Sequence, residues 1–276
     1  MKSQILSIVL IMFCSVSMRC YAQEFDKEYI EQLSKADSLQ NKGLWTEAEQ
    51  CLVDLLRQHP SNSTNVLLMS NIGMIRHYAG RDTAALDILD KAVEMAPVAA
   101  TVRCNRAKVL TSLGKFTQAC DDYTRVIERD TTMIEPLYMR CLIGFYVGDT
   151  IAVDRDVKLL VQRFPDTREA LEATAYRMMS QSKYQEAIPV LNKLILLDRH
   201  PSNYGERALC YIMTDQLSEA SADLSDAILL DPANGDFYLY RALLNKKRFR
   251  PQDAIEDLNK AISLGVSRGK IRQYGL

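Results

Sequence analysis

Histidine is nearly missing from this sequence: His59, His77 and His200 are the only three in 276 residues. So few imidazoles leave little material for a His-based metal centre or for catalysis that needs a histidine base. Net charge is equally scarce. Lys and Arg number 34 against 35 Asp and Glu, a balance of -1 at neutral pH. That argues against nucleic acid as a partner, because such binding rests on many phosphate-neutralising cations. Eleven Gly and eight Pro, with no long polar run, exclude a flexible linker chain or a disordered one. Aromatic residues make up only 8% while hydrophobic residues reach 47%, an ordinary balance for one or two packed domains.

Catalytic motifs are missing too. Gly269-Lys270 lacks the earlier glycine of a phosphate-cradling GxxxxGK loop. Gly265-Val266-Ser267-Arg268-Gly269 does match the nucleophile elbow of hydrolases, which needs a strand before it, a helix after it and a later histidine. Here a helical pattern precedes it, seven residues follow, and all three histidines lie upstream. The expectation is a non-enzyme with no catalytic residue, no cofactor and no metal.

What is present begins with an export signal. Lys2 opens the chain, Ile5 to Val16 is apolar apart from Ser7, Cys14 and Ser15, and Cys20-Tyr21-Ala22 offers small residues for cleavage after Ala22. The apolar stretch is shorter than the roughly 20 residues that span a bilayer, so no integral membrane span is expected after cleavage. A lipoprotein would need a small residue before its modified cysteine, whereas Arg19 precedes Cys20 and Phe13 precedes Cys14. Residues 1–22 therefore read as a signal peptide and 23–28 as a lead-in. The expected location is periplasmic or extracellular.

Beyond the leader one unit recurs. Ala48, Ala85, Ala119, Val153, Ala187, Ala220 and Ala254 stand 37, 34, 34, 34, 33 and 34 residues apart. Twelve residues before each comes a small side chain: Ala36, Gly73, Ala107, Cys141, Ala175, Ala208, Ala242. Seven after each comes an aliphatic residue or alanine, and four after each comes Leu, Tyr or Val. Spacings of three, four and seven mark amphipathic helices, two per unit, and the small residues let them approach closely. Gly43, Gly80, Gly114 and Gly148 fall between the helices, where a left-handed residue ends the first. Pro60, Pro97, Pro165 and Pro232 stop the second. Pro251 suits the start of a helix, and Pro189 should cost its helix one hydrogen bond or a slight bend. The longer first step places extra residues around Ser61 to Asn65, a longer loop or a hinge, and Asn62-Ser63-Thr64 matches a glycosylation acceptor.

These columns resemble the tetratricopeptide repeat, a 34-residue helix–turn–helix unit, over residues 29–268 in seven copies (29–62, 66–99, 100–133, 134–167, 168–200, 201–234, 235–268), with 269–276 as a tail. Gly144 and Asn245 depart from its usual Tyr, and Thr131, Arg199 and Val266 from its usual Pro. The resemblance implies an all-α, right-handed superhelical solenoid whose inner groove grips another protein. Carried onto this chain, it places Tyr138, Leu142, Phe145, Tyr146, Tyr176, Met179, Leu209, Ile212 and Met213 on the inner face of copies four to six, with Glu135, Glu169 and Glu172 at the edge. Aromatic anchors ringed by polar groups are what binding surfaces use, though the same residues could simply pack on adjacent helices. Copies one and three are polar there (Asp37, Gln40, Asn41, Lys108, Thr111, Ser112). Leu33 and Asp37 stand where some relatives carry the Lys and Asn that clamp a terminal carboxylate, which disfavours that mode.

Two further patterns come from comparing copies. Arg106, Arg140, Arg207 and Arg241 occupy one first-helix column, and sixteen residues on stand Asp122, Asp156, Asp223 and Asp257. The other copies have Lys35/Cys51, Ile72/Ile88 and Thr174/Val190. Arg and Asp occur together or not at all, which points to a salt bridge inside each hairpin. Cys120, Cys141 and Cys210 fall on buried columns, so they read as small core residues, with Cys51 and Cys104 open to an intermolecular bond. The function expected is an interaction scaffold for an unidentified protein or peptide. The alternative is a subunit that forms a homo-oligomer by stacking end to end through its C-terminal repeat. There, Ile255, Ile262 and Leu264 should face outward, to be covered by Ile271, Tyr274 and Leu276 or by a second molecule.

Overall fold

The computed structural model describes residues 27–60 and 65–276. The leader, residues 23–26 of the lead-in and the Asn62-Ser63-Thr64 acceptor lie outside the described residues. Among those described, fifteen helices and no strand occur. Fourteen form hairpins: α1 (Lys27–Asn41) with α2 (Trp45–Gln58), α3 (Asn65–Tyr78) with α4 (Asp82–Met95), α5 (Ala100–Ser112) with α6 (Phe116–Arg129), α7 (Ile134–Val147) with α8 (Thr150–Arg163), α9 (Arg168–Ser180) with α10 (Tyr184–Leu197), α11 (Pro201–Met213) with α12 (Leu217–Leu230), and α13 (Gly235–Lys247) with α14 (Pro251–Ser263). The short α15 (Arg268–Gln273) follows. None of these helices is long and apolar enough to cross a membrane.

The chain divides into two compact units, 1–126 and 127–276, the division falling within α6. In the first, α2 packs on α3 and α4 on α5; in the second, α8 packs on α9, α10 on α11 and α12 on α13. Consecutive first helices also touch, α7 with α9 and α11 with α13. The small-residue columns explain how closely hairpins close. Ala36, Ala48, Ala85, Ala107, Ala119, Cys141, Ala175, Ala187, Ala208, Ala220 and Ala242 are all wholly buried. At Gly73 even a Cβ would lie 2.6 Å from Leu89 Cγ, so the leucine fills the space that alanine takes elsewhere.

Every hairpin turns through one left-handed residue. Gly43, Gly80, Gly114 and Gly148 have φ of 71 to 76°, as their identity predicts. The last three copies make the same turn with Ser182, Asp215 and Phe249, at φ of 59, 60 and 57°, a conformation that costs an L-residue roughly 1–2 kcal/mol. Pro189 lies inside α10, and the helix continues to Leu197. Cys104, Cys141 and Cys210 are buried thiols, whereas Cys120 is only half-buried, less than its column predicts.

The Arg/Asp columns are ion pairs in all four copies. Arg140 Nε and Nη2 hold Asp156 Oδ2 and Oδ1 at 2.8 and 2.7 Å, and Arg207 holds Asp223 at the same two distances. Arg106 grips Asp122 at 2.7 and 2.8 Å. Arg241 grips Asp257 at 3.0 and 2.6 Å. Such forked contacts are the strong form of a charge-assisted bond. Asp122 also takes Arg103 at 2.5 Å and Asp257 takes Asn245 at 3.0 Å, partners that the columns do not reveal.

Residues 268–276 fold back, as expected, but over α13. Ile271 is buried, Tyr274 stands edge-on to Tyr240 at 5.8 Å, and Lys270 pairs with Asp236 at 2.7 Å. The tail, one of the two expected covers, leaves Ile255 and Ile262 exposed, and only Leu264 joins the core cluster. The reason is placement, since α15 follows the first helix of the last hairpin and does not reach the outer side of α14. Ser267 of the elbow-like motif caps α15, accepting the Lys270 N–H at 3.2 Å. Removing residues 270–276 should lower the melting temperature of the α13–α14 hairpin by several degrees, since it uncovers Tyr240 and deletes a buried isoleucine. A truncated chain that melts like the full one would show the tail to be idle.

Candidate functional site

The nine residues expected on the inner face lie on the first helices of the second unit, and the structure sorts them into three groups. Tyr138, Leu142, Phe145, Tyr176 and Met179 are half-buried, with part of each side chain open. Tyr146 and Met213 are exposed, Tyr146 by 77%. Leu209 and Ile212 are buried core residues, which corrects their expected place on the face. The cause is Gly205: a Cβ there would lie 2.5 Å from Cε1 of Phe237. The bare backbone admits that ring, α13 comes down on α11, and Leu209 and Ile212 are sealed in a cluster with Phe237, Tyr240 and Leu243.

The open part of the face is an aromatic and carboxylate surface. Phe145 and Tyr176 meet edge to face at 6.1 Å, an arrangement that aromatic quadrupoles favour. Glu172 accepts a bond from the Tyr138 hydroxyl, which is held protonated by burial and by that carboxylate. Arg168 reaches Glu169 at 3.4 Å and Glu172 at 3.5 Å. Deeper, Tyr176 bonds the carboxyl of Glu206, and burial pushes that acid up to about 8, helped by the nearby Glu172 and opposed by the tyrosine. At neutral pH Glu206 therefore keeps its proton. Sequence reasoning missed it. Its column reads Met139, Ala173 and Tyr240 in the neighbouring copies, and a lone acid among such residues was the available signal.

Two of the polar residues expected on the face of copy three, Thr111 and Ser112, are occupied internally. Thr111 Oγ1 donates to Ala107 O at 2.8 Å, and the single hydroxyl proton of Ser112 serves Asp82 Oδ2 at 2.6 Å or Val109 O at 2.9 Å. Asp82 in turn meets His77 Nδ1 at 2.6 Å. Serine, aspartate and histidine thus form a chain in which the hydroxyl bonds the acid, not the imidazole. That order gives no base to activate the serine. Among the described residues no group of three His, Cys, Asp or Glu side chains is placed to hold a metal ion.

Known proteins agree with this architecture. The family model described as tetratricopeptide repeat matches residues 100–132. A tetratricopeptide repeat protein from Parabacteroides merdae superposes with a TM-score of 0.72 at 24% identity, over 90% of this chain and 98% of its own. The DnaJ homolog subfamily C member 7 homolog of Dictyostelium discoideum is 25% identical over 185 residues, 61% of this chain and 34% of the relative. The human DnaJ homolog subfamily C member 7 is 24% identical over 183 residues, 64% of this chain and 32% of the relative. The chain thus spans about a third of the length of these two relatives.

Proposed function

We propose that this tetratricopeptide-repeat protein is an exported, non-enzymatic scaffold that holds a peptide segment or a helix of another protein on the inner face of its second unit. The fold itself supports a protein-interaction scaffold. The observation that carries the finer reading is the half-open aromatic row of Tyr138, Phe145 and Tyr176, with the largely exposed Tyr146 beside it. Core packing would have closed over these rings, as it does over Leu209 and Ile212. Export rests on the leader pattern alone: the Lys2 start, the apolar run and the Cys20-Tyr21-Ala22 junction.

The test is photo-crosslinking in the native cell from a reactive amino acid at Tyr146, at Met213, or at the exposed Ser225 of α12. Tyr146 and Met213 should capture one shared partner that Ser225 does not, and mass spectrometry of the same chains should find an N-terminus at Gln23. Identical captures from all three positions would remove the inner face as the site. A second reading, self-association through the last hairpin, is favoured by the exposed Ile255 and Ile262. It requires a mass that rises with concentration in sedimentation and falls with Ile255→Glu.

A further inference from the structure

We propose that the segment held on this face presents a lysine or arginine side chain, whose charge is received by Glu172 and Glu206 beside Tyr138 and Tyr176. This rests on the inner-face reading above and supplies the chemistry of its occupant. Two independent observations meet here. The first is charge. Among the described residues Glu169 and Glu172 pair with Arg168, whose contacts of 3.4 and 3.5 Å are long beside the roughly 2.7–2.9 Å of a firm charge-assisted bond, and the deeper Glu206 is acted on by Glu172 and Tyr176 with no cation beside it. The second is an unmet acceptor: Glu206 Oε2 is buried with no hydrogen-bond partner, a costly state that native proteins rarely leave unused.

The groups that face Glu206 are Glu172 and Tyr176 on α9, Cys210 on its own helix and Tyr240 on α13. They comprise two hydroxyls, a thiol and a second acid, and none carries positive charge. A cationic side chain would supply a donor for Oε2 and the positive charge that lets Glu206 give up its proton, while its stem lies along the Tyr176 ring. Glu206 keeps some exposed surface, so the approach is from the open face. A bare metal ion fits less well, because no third ligating side chain converges on the pair. Binding must then release one proton. The free acid holds its proton up to about pH 8, and a cation beside it favours the ionised form.

The experiment pans random short peptides displayed on phage against the full chain, then titrates the best binder as a synthetic peptide. Lysine or arginine should be enriched next to apolar residues, and replacing it with norleucine should cost more than about tenfold in affinity. Wild-type affinity should rise by up to about tenfold per pH unit as pH climbs toward 8, then level off. Glu206→Gln, the isostere of the protonated acid, should flatten that profile and abolish proton release measured in buffers of different ionisation heat. Its melt at pH 6 should match the wild type, separating this effect from misfolding. Binders without a cation, or a pH profile unmoved by Glu206→Gln, would overturn the inference while leaving the inner face as the site. Binders indifferent to Tyr146→Ala, or no enrichment at all, would overturn both.

Discussion

Asp156→Ala is expected to remove about 3–5 kcal/mol of stability, because it takes from the buried Arg140 guanidinium the carboxylate that neutralises its charge. Asp156 is completely buried and the Arg140 side chain is 9% exposed, so water cannot take over the lost bonds. Arg155 also reaches Asp156 at 2.9 Å, but its side chain is 57% exposed and resolvates freely. The same truncation at Asp257, whose Arg241 partner is 40% exposed, should cost distinctly less. Urea unfolding at neutral pH measures both. Replacing the pair together, Arg140→Met with Asp156→Leu, should be near neutral, since a well-packed apolar pair avoids the cost of desolvating two ions. An Asp156→Ala loss below about 1 kcal/mol, the range of an exposed pair, would mean that the hairpin opens enough to hydrate the arginine.

Phe237→Ala should cost about 3–5 kcal/mol, and its interplay with Gly205 should reverse a sign. Phe237 is 2% exposed and its ring occupies the space where a Gly205 side chain would stand. In the wild-type background Gly205→Ala forces the ring aside and should destabilise by roughly 1–3 kcal/mol, as overpacking does. In the Phe237→Ala background the space is empty. There the same substitution should stabilise by about 0.5–1 kcal/mol, the helical advantage of alanine over glycine. Four melts close this double-mutant cycle. Additive losses would show that the two residues are not fitted to one another.

The same pair marks where sequence reading stopped. The repeat period, the hairpin turns at Gly43 to Gly148 and the Arg/Asp pairs were legible, because each is a column in which residue identity carries the physics. Leu209 and Ile212 were misplaced because a column fixes which way a helix face points, not how near the next helix lies. That distance was set by Gly205, outside the repeating pattern. Ser182, Asp215 and Phe249 make glycine's turn without being glycine, so the stack imposes a conformation that their identities do not announce. Ile255 and Ile262 were expected to be covered because the tail has the right apolar residues, yet only its register on α13 decides what they reach. Glu206 escaped notice for the converse reason, as the one acid in a column that reads Ser34, Asn71, Asn105, Met139, Ala173 and Tyr240 in the other copies.

The α9–α10 hairpin has Thr174 and Val190 where its neighbours have a forked ion pair, and Pro189 leaves the Gln185 carbonyl without the amide that would ordinarily reach it. The hairpins on either side are each clasped, through Arg140–Asp156 and Arg207–Asp223. Where stability is a sum of local and neighbour contributions, an unclasped hairpin between two clasped ones is expected to open before them, its amide protons exchanging faster with solvent than theirs. That hairpin also carries Glu172 and Tyr176. The one hairpin of the second unit without this ion pair is therefore the one that would meet a guest, and occupancy would be written as slowed deuterium uptake in α9 and α10.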